Sequence, residues 1–384
     1  MLYRLFFTNE KADNRFFQYV LWWQPSDGRM LVSETWAAKD EKSGHLHIDI
    51  FLDARYFGKE VKMSPGEFKK RFWRPVELQV HLLDKKITKL LGRVIPKKAT
   101  CLFEKTLPYG IREKLHELLW KQGIHCVFED DVWQRQLRTY KTKLEQQQIR
   151  RACTLTEQLW SWLQEQQLLD KTELDVRWLL IAEAMRQGLE GEAFPAIIAS
   201  WPNSTTPHHE AGATVITPWP LLVDMWFRYH GYCSDMTRTV RVDEDWALYD
   251  TINWKAQEAW ESGTKKSSKL CKISVKKADK KLFSEFTTIC QIVKQAYEAA
   301  LEQTKAGVPV RVLDIAAREI IADAGYGPYF THSLGHGVWL DIHESPHVTT
   351  HNEELLKKGM IITIEPGIYL PGKFGVRWEN TIVI

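Results

Sequence analysis

Four carboxylates and one imidazole stand in short, chemically dense segments of this 384-residue chain. Asp224 and Asp235 lie in LLVDMWFRYHGYCSDMTRT (221–239), His336 in THSLGHGVWLDIHESP (331–346), Glu365 in IITIEPGIYLPG (361–372) and Glu379 in GVRWEN (375–380). Carboxylate oxygens and a neutral histidine nitrogen suit hard or borderline divalent cations. Five such ligands exceed the three protein ligands of a usual catalytic zinc. They suffice for two ions about 3.5–4 Å apart that share a water and lower its pKa. The residue types therefore point to a two-metal hydrolase.

Two groups of elements must position these residues. In residues 1–138, HLHIDIFLDARYF (45–57) and RPVELQVHLL (74–83) alternate as strands. IREKLHELLWKQG (111–123) spaces Ile111, Leu115, Leu118 and Leu119 helically and ends at Gly123, a helix stop. VIPKKATCLFE and IHCVFEDD read as further strands, so this part is a small α/β domain. Residues 139–384 form the second domain. A helix over 139–169 carries Leu144, Ala152, Leu155, Leu159, Trp162 and Leu163 at a 3.6 period. Thr172 and Asp175 form a capping box opening a helix through about Gln187. FPAIIASWPNS (194–204) is a strand and loop, and a hairpin turning near His230–Gly231 would set Asp224 opposite Asp235. Helices are expected over 286–305, with Ile289, Ile292, Val293, Tyr297 and Leu301 on one face, and over 312–324. The fold class is α/β (α+β).

Composition narrows the function. A chain that is 44% hydrophobic and 26% charged, with net charge +3, is an ordinary globular protein. It offers no case for nucleic acid or an anionic membrane. No apolar run reaches the ~18 residues of a membrane helix, and the N-terminus lacks a signal-peptide core, so a cytoplasmic location is expected. Cys101, Cys126, Cys153, Cys233, Cys271 and Cys290 are scattered without a CxxC, which favours free thiols. TKKSSKLCKISVKKADKK, within residues 243–283, reads as a solvated surface loop.

The Asp pair eleven positions apart, HxxGHGxxLDxHExP, TIEPGIY and GVRxEN together resemble the metal-dependent aminopeptidase P and prolidase family, the pita-bread metallopeptidases. The resemblance covers roughly residues 140–384 and extends loosely to FLDARYF. It implies a C-terminal pita-bread catalytic domain with an internal pseudo-repeat. It also implies two divalent ions on Asp224, Asp235, His336, Glu365 and Glu379. Manganese is favoured by the oxygen-rich set, with cobalt and zinc as alternatives.

Further roles follow from the same resemblance. Glu365 would also shuttle the proton from water to the leaving amine. His343 would hydrogen-bond the scissile carbonyl. His208, with His209 as fallback, would bind substrate, and His332 would lie near the leaving proline. Arg377, two residues before Glu379 and on its strand face, would orient a ligand carboxylate. Tyr369 would line the pocket. The implied activity is a proline-specific exopeptidase on proline-containing peptides, an Xaa-Pro aminopeptidase first, with a prolidase of Xaa-Pro dipeptides or a non-catalytic binding module as alternatives. Assembly as a homo-oligomer accompanies that expectation.

The chain departs from the family pattern where relatives carry glycine and it carries Trp201, Trp226 and Trp339, with Trp219 and Trp23 as weaker instances. Tryptophan, at 17, outnumbers both tyrosine at 12 and phenylalanine at 16. Glycine at such places serves special backbone angles or close packing, and three indoles there would crowd the metals. Two explanations compete: a remodelled aromatic site, or a gene in which UGA encodes glycine and was read as tryptophan. The consistency of the glycine positions favours the second. The chain stops at Ile384, five residues after Glu379, so a truncated final strand is expected.

Overall fold

The computed structural model describes residues 2–8, 28–35, 45–52, 76–82, 95, 97–104, 109–129, 138–242, 248–249 and 279–384. The tail of the FLDARYF segment, Trp23, Cys271 and most of the lysine-rich stretch lie outside these residues. The chain divides into two compact units, Met1–Thr142 and Lys143–Ile384.

The first unit is a six-stranded mixed sheet. Its strands are β1 (Leu2–Thr8), β2 (Gly28–Thr35), β3 (His45–Leu52), β4 (Val76–Leu82), β5 (Thr100–Glu104) and β6 (His125–Glu129). The spatial order is β4-β3-β2-β1-β5-β6. β1–β2 and β2–β3 are antiparallel, while β3–β4, β1–β5 and β5–β6 are parallel. Helix α1 (Tyr109–Trp120) supplies the crossover that the parallel β5–β6 pair needs. It ends where Gly123 takes φ +74°, and the Ile124 amide returns to the Leu119 carbonyl at 3.0 Å. The strand expected from VIPKKATCLFE starts only at Thr100, because Lys98 turns the chain with φ 68°.

In the second unit, α2 (Lys143–Leu163) and α3 (Glu173–Arg186) precede a four-stranded sheet. That sheet is β7 (Ile197–Ser200), β8 (Pro220–Met225), β11 (Met236–Val242) and β12 (Leu248–Tyr249), with the two-residue strands β9 (Arg228–Tyr229) and β10 (Tyr232–Cys233) between β8 and β11. The pattern then recurs. Helices α4 (Asp279–Glu302) and α5 (Val310–Asp323) precede a sheet of β13 (Gly335–Gly337), β14 (Glu344–Val348), β15 (Ile361–Ile364) and β18 (Asn380–Val383). A hairpin of β16 (Gly367–Tyr369) and β17 (Gly375–Arg377) projects between β15 and β18. A helix pair followed by a sheet, twice over, is the order the pita-bread resemblance implies.

Local rules account for the elements. Thr172 caps α3: its hydroxyl accepts from the Asp175 amide at 3.1 Å and the Asp175 carboxylate accepts from the Thr172 amide at 2.9 Å. Leu155, Leu159, Leu163, Val176, Leu180 and Ala184 join Val223, Met225, Phe227 and Val240 in one apolar core. At about 25 cal/mol per Å² of apolar surface removed from water, this layer is what fixes β8 and β11 in place. Leu144 departs from the expected helix face: it is 38% exposed because it sits in the first turn, ahead of the packed length, and Ile149 and Trp160 are buried instead. Among the described residues no helix is long and apolar enough to cross a membrane.

Candidate metal centre

The site draws its side chains from both sheets of the second unit. β8 and β11 pair antiparallel with Asp224 opposite Thr237, so Asp224 does not oppose Asp235 as expected. The intervening β9–β10 hairpin turns at His230 (φ 50°) and Gly231 (φ 78°), as anticipated, and it delays β11 so that Asp235 falls just ahead of it. Asp235 nevertheless keeps the same face as Thr237, two residues on.

From the second sheet, His336 sits mid-strand in β13 between Gly335 and Gly337. A Cβ on either glycine would overlap backbone, of Thr363 for Gly335 and of Glu344 and Ser345 for Gly337. Glycine thus lets β14 and β15 close on the strand bearing the histidine. The His336 Nδ1 proton is donated to the Gly337 carbonyl at 3.1 Å, which fixes the tautomer with a lone pair on Nε2. That Nε2 lies 3.4 Å from Asp235 Oδ2 and 3.5 Å from Glu365 Oε1. Glu379, immediately before β18, brings its carboxylate within 4.8 Å of the Asp235 and His336 ligand atoms.

Arg377 organises this cluster. Its guanidinium donates to Asp224 Oδ2 at 2.7 Å, to Thr237 Oγ1 at 3.0 Å, to the Tyr369 hydroxyl at 3.0 Å and to the Pro207 carbonyl at 3.1 Å. Tyr369 is buried against Ile197, Ala199 and Leu222, and its hydroxyl meets His332 Nε2 at 2.9 Å. His332 Nδ1 meets the Ser333 carbonyl at 2.7 Å. Both ring nitrogens of His332 are therefore engaged, and it can meet a ligand only through its ring. Arg318 holds the same loop by donating to the Phe330 and His332 carbonyls at 3.1 and 2.9 Å.

Burial sets the electrostatics. It raises the Asp235 carboxyl well above the usual range, with Glu379, Asp224 and Glu365 adding like charge. Glu365 is raised well above its ordinary value by burial and then by Glu379. Glu379 is pushed up to about 7 by burial and Asp224. Asp224 is raised by burial, against the pull of Arg377. Burial lowers His336 and His332 to about 3, so both imidazoles are neutral.

One guanidinium facing four crowded carboxyls leaves negative charge uncompensated. Both oxygens of Asp235, Nε2 of His336 and Oε1 of Glu379 are buried with no hydrogen-bond partner. Buried polar atoms are almost always satisfied, and these four share one small space. The oxygen-rich set with a single imidazole suits divalent cations. The residues fit a metal centre.

The expected substrate histidines separate. His209 Nε2 lies 2.7 Å from Glu173 Oε2, in a clamp where Glu173 also accepts from the Ser200 amide, Asn203 Nδ2 and the Gly212 amide. His209 therefore anchors the loop, while His208 is exposed and close enough to act electrostatically on His332 and His343. His343 stands at the rim with its ring 4.5 Å from that of His336.

The tryptophans also separate. Trp226 packs 6.0 Å from His336 and 5.2 Å from His343. Trp339 is buried with Tyr232 at 6.3 Å. Trp201 is 37% exposed against Trp219. Crowding at the ligand atoms comes from Trp226.

Sequence reasoning did not single out Thr237, Arg238 or Glu173. Thr237 Oγ1 donates to Glu379 Oε2 at 2.6 Å, and Arg238 donates to the Glu379 carbonyl at 2.7 Å. A signal was present for Thr237, which follows Asp235 at the strand period of two.

Comparison with known proteins identifies the family. Residues 147–276 and 271–384 match metallopeptidase family M24. The chain is 36% identical over 282 residues to the Xaa-Pro dipeptidase of Pyrococcus horikoshii, covering 73% of this chain and 69% of that one. Its structure resembles that of the X-Pro aminopeptidase from Thermotoga maritima, with TM-score 0.72, 26% identity and coverage of 100% and 92% of the two chains. It also resembles the prolidase from Pyrococcus furiosus, with TM-score 0.68, 28% identity and coverage of 100% and 93%.

Proposed function

The chain belongs to metallopeptidase family M24, and we propose that it is a proline-specific dipeptidase that hydrolyses Xaa-Pro dipeptides with two divalent ions, manganese first among them. Family membership implies divalent metal. What supports the dipeptidase over the aminopeptidase expected from the motifs is the 36% identity to a relative named Xaa-Pro dipeptidase. The second reading, release of an N-terminal residue from longer Xaa-Pro peptides, keeps support from the likeness to the Thermotoga maritima X-Pro aminopeptidase.

Asp224, Asp235, His336, Glu365 and Glu379 would hold the ions. When bound, these supply a Lewis acid for the scissile carbonyl and make water acidic enough to attack near neutral pH. The chain's own residues do the rest. Glu365, partly buried at the end of β15, takes the proton released by the attacking water and passes it to the proline nitrogen as the C–N bond breaks. That nitrogen carries no hydrogen in the peptide, so the delivered proton lets it leave as a neutral secondary amine. His343 at the rim faces the carbonyl oxygen as it gains charge. His208 approaches from the loop that Glu173 anchors. Arg377 and Tyr369 hold Asp224 and His332 in register rather than touching substrate.

The test compares Ala-Pro, Ala-Pro-Ala and Ala-Ala on manganese-reconstituted protein. Rapid cleavage of Ala-Pro alone is expected. Faster cleavage of Ala-Pro-Ala would move the assignment to the aminopeptidase, and equal cleavage of Ala-Ala would remove proline specificity.

A further inference from the structure

Asp235, just ahead of β11, and Glu379, just ahead of β18, reach the metal centre from different sheets. The offset between those sheets therefore sets the distance between these ligands. Three residue pairs fix it. The Thr381 hydroxyl donates to the Asp235 carbonyl at 3.0 Å. The Glu379 amide donates to the Thr237 carbonyl at 3.2 Å. The Thr239 hydroxyl donates to the Arg377 carbonyl at 3.0 Å and accepts from the Arg377 amide at 3.0 Å. Each step of two residues forward from Asp235 is matched by a step of two residues back from Thr381. That is the register of an antiparallel pair, in which opposite residues exchange both an N–H and a C=O. A hydroxyl carries one donor and two acceptor sites, so Thr239 makes with its side chain the exchange that main chain makes within a sheet. Both threonines are buried, where a main-chain group left unpaired is costly. At the alternate position, Arg238 clamps the same junction. It donates to the Thr237 and Glu379 carbonyls at 2.9 and 2.7 Å and to Asn380 Oδ1 at 2.8 Å.

We propose that Thr239 and Thr381 are positioning residues: their hydroxyls replace main-chain rungs and hold β11 in register with the β17–β18 segment, so that ligands carried by two sheets meet at one cation site. Thr239 acts through the main chain of Arg377, and Thr381 through the carbonyl of Asp235. This rests on the metallopeptidase reading above and deepens it, since it concerns what aligns that same centre.

The experiment uses the full-length chain unaltered and as Thr239→Val, Thr239→Ser and Thr381→Val. Valine keeps the shape of threonine and removes the hydroxyl, whereas serine retains it. The first readout is amide hydrogen exchange in metal-free protein. The Arg377 amide should exchange at least about tenfold faster in Thr239→Val, the effect of losing one hydrogen bond, and at the unaltered rate in Thr239→Ser. The second is manganese affinity by equilibrium dialysis at a temperature where circular dichroism shows every variant folded. Both valine variants should bind about 10–100-fold more weakly, as when a group orienting a metal ligand is lost, and serine should restore binding. If Thr239→Val does not fold, Thr381→Val alone decides the matter through its manganese affinity. Unchanged affinity in the valine variants would overturn the proposal and leave the metallopeptidase reading standing, even with a lowered melting temperature, since the threonines would then only hold the fold. Weakened binding that serine does not restore would overturn it as well. No manganese bound by the unaltered chain would overturn the metallopeptidase reading itself, and this inference with it.

Discussion

Thr237 gives its hydroxyl proton to Oε2 of Glu379 at 2.6 Å, across the junction between β11 and β18. The same oxygen of Thr237 accepts from Arg377 Nε at 3.0 Å. One small side chain thus aims a ligand carboxylate and the guanidinium that steadies another. Replacing it with valine preserves shape but leaves a buried acceptor and a buried donor unmatched. Thr237→Val should cost about 1–3 kcal/mol of stability and weaken metal binding by about 10–100-fold. Thr237→Ser should retain most of both. Thermal unfolding and metal titration of the two variants check this.

Metal binding should release protons, and the amount should fall as pH rises from 6 to 8. In the metal-free protein Glu379 is pushed up to about 7, against about 4.3 for an unperturbed glutamate. A carboxyl with a raised folded pKa stabilises the fold when protonated, and that contribution is lost as pH rises through the window from about 4 to 7. A cation entering at pH 6 must expel that proton. His336, lowered to about 3, stays neutral and releases none. Calorimetric titration in buffers of different ionisation enthalpy gives the proton count. The same sign requires metal to raise the melting temperature more at pH 8 than at pH 6.

The loop carrying His208 depends on Glu173, a buried carboxylate with donors from Ser200, Asn203, His209 and Gly212. Glu173→Ala strands those donors and should lower stability by at least about 2 kcal/mol. At a temperature where the variant remains folded, KM should rise with metal content unchanged. His208→Ala should lower kcat/KM with no loss of stability, separating the substrate-facing histidine from its anchored neighbour.

The tryptophans have a direct check in the gene. Recoding predicts UGA at positions 201, 226 and 339, and UGG there would end that explanation. An indole in space built for glycine is overpacking, costing about 1–3 kcal/mol. Trp339→Gly, at a fully buried site, should therefore raise the melting temperature, while Trp201→Gly, at a site 37% exposed, should change it little.

What was legible in the chain follows period and residue type. Thr172 and Asp175 announced a cap, Gly123 a helix end, and Asp235, His336 and Glu379 a cluster able to hold a cation, because each signal is local or carried by side-chain chemistry. Pairing across the sheet was not legible. The extra hairpin at His230–Gly231 shifts Asp224 onto Thr237, a register no single segment encodes. The roles of His208 and His209 divide through Glu173, thirty-six residues before His209, and only the folded chain brings them together. The Arg377–Tyr369–His332 relay was equally hidden, since Tyr369 and His332 meet across thirty-seven residues.

The central claim is that Glu365 moves the proton of a metal-dependent hydrolysis at this cluster. Metal content and Ala-Pro hydrolysis should be measured together in Glu365→Gln, with manganese restored and Asp235→Asn alongside. The account predicts loss of at least about 100-fold in kcat for Glu365→Gln with metal still bound, and loss of both metal and activity for Asp235→Asn. Full hydrolysis by Glu365→Gln at normal metal content would contradict it.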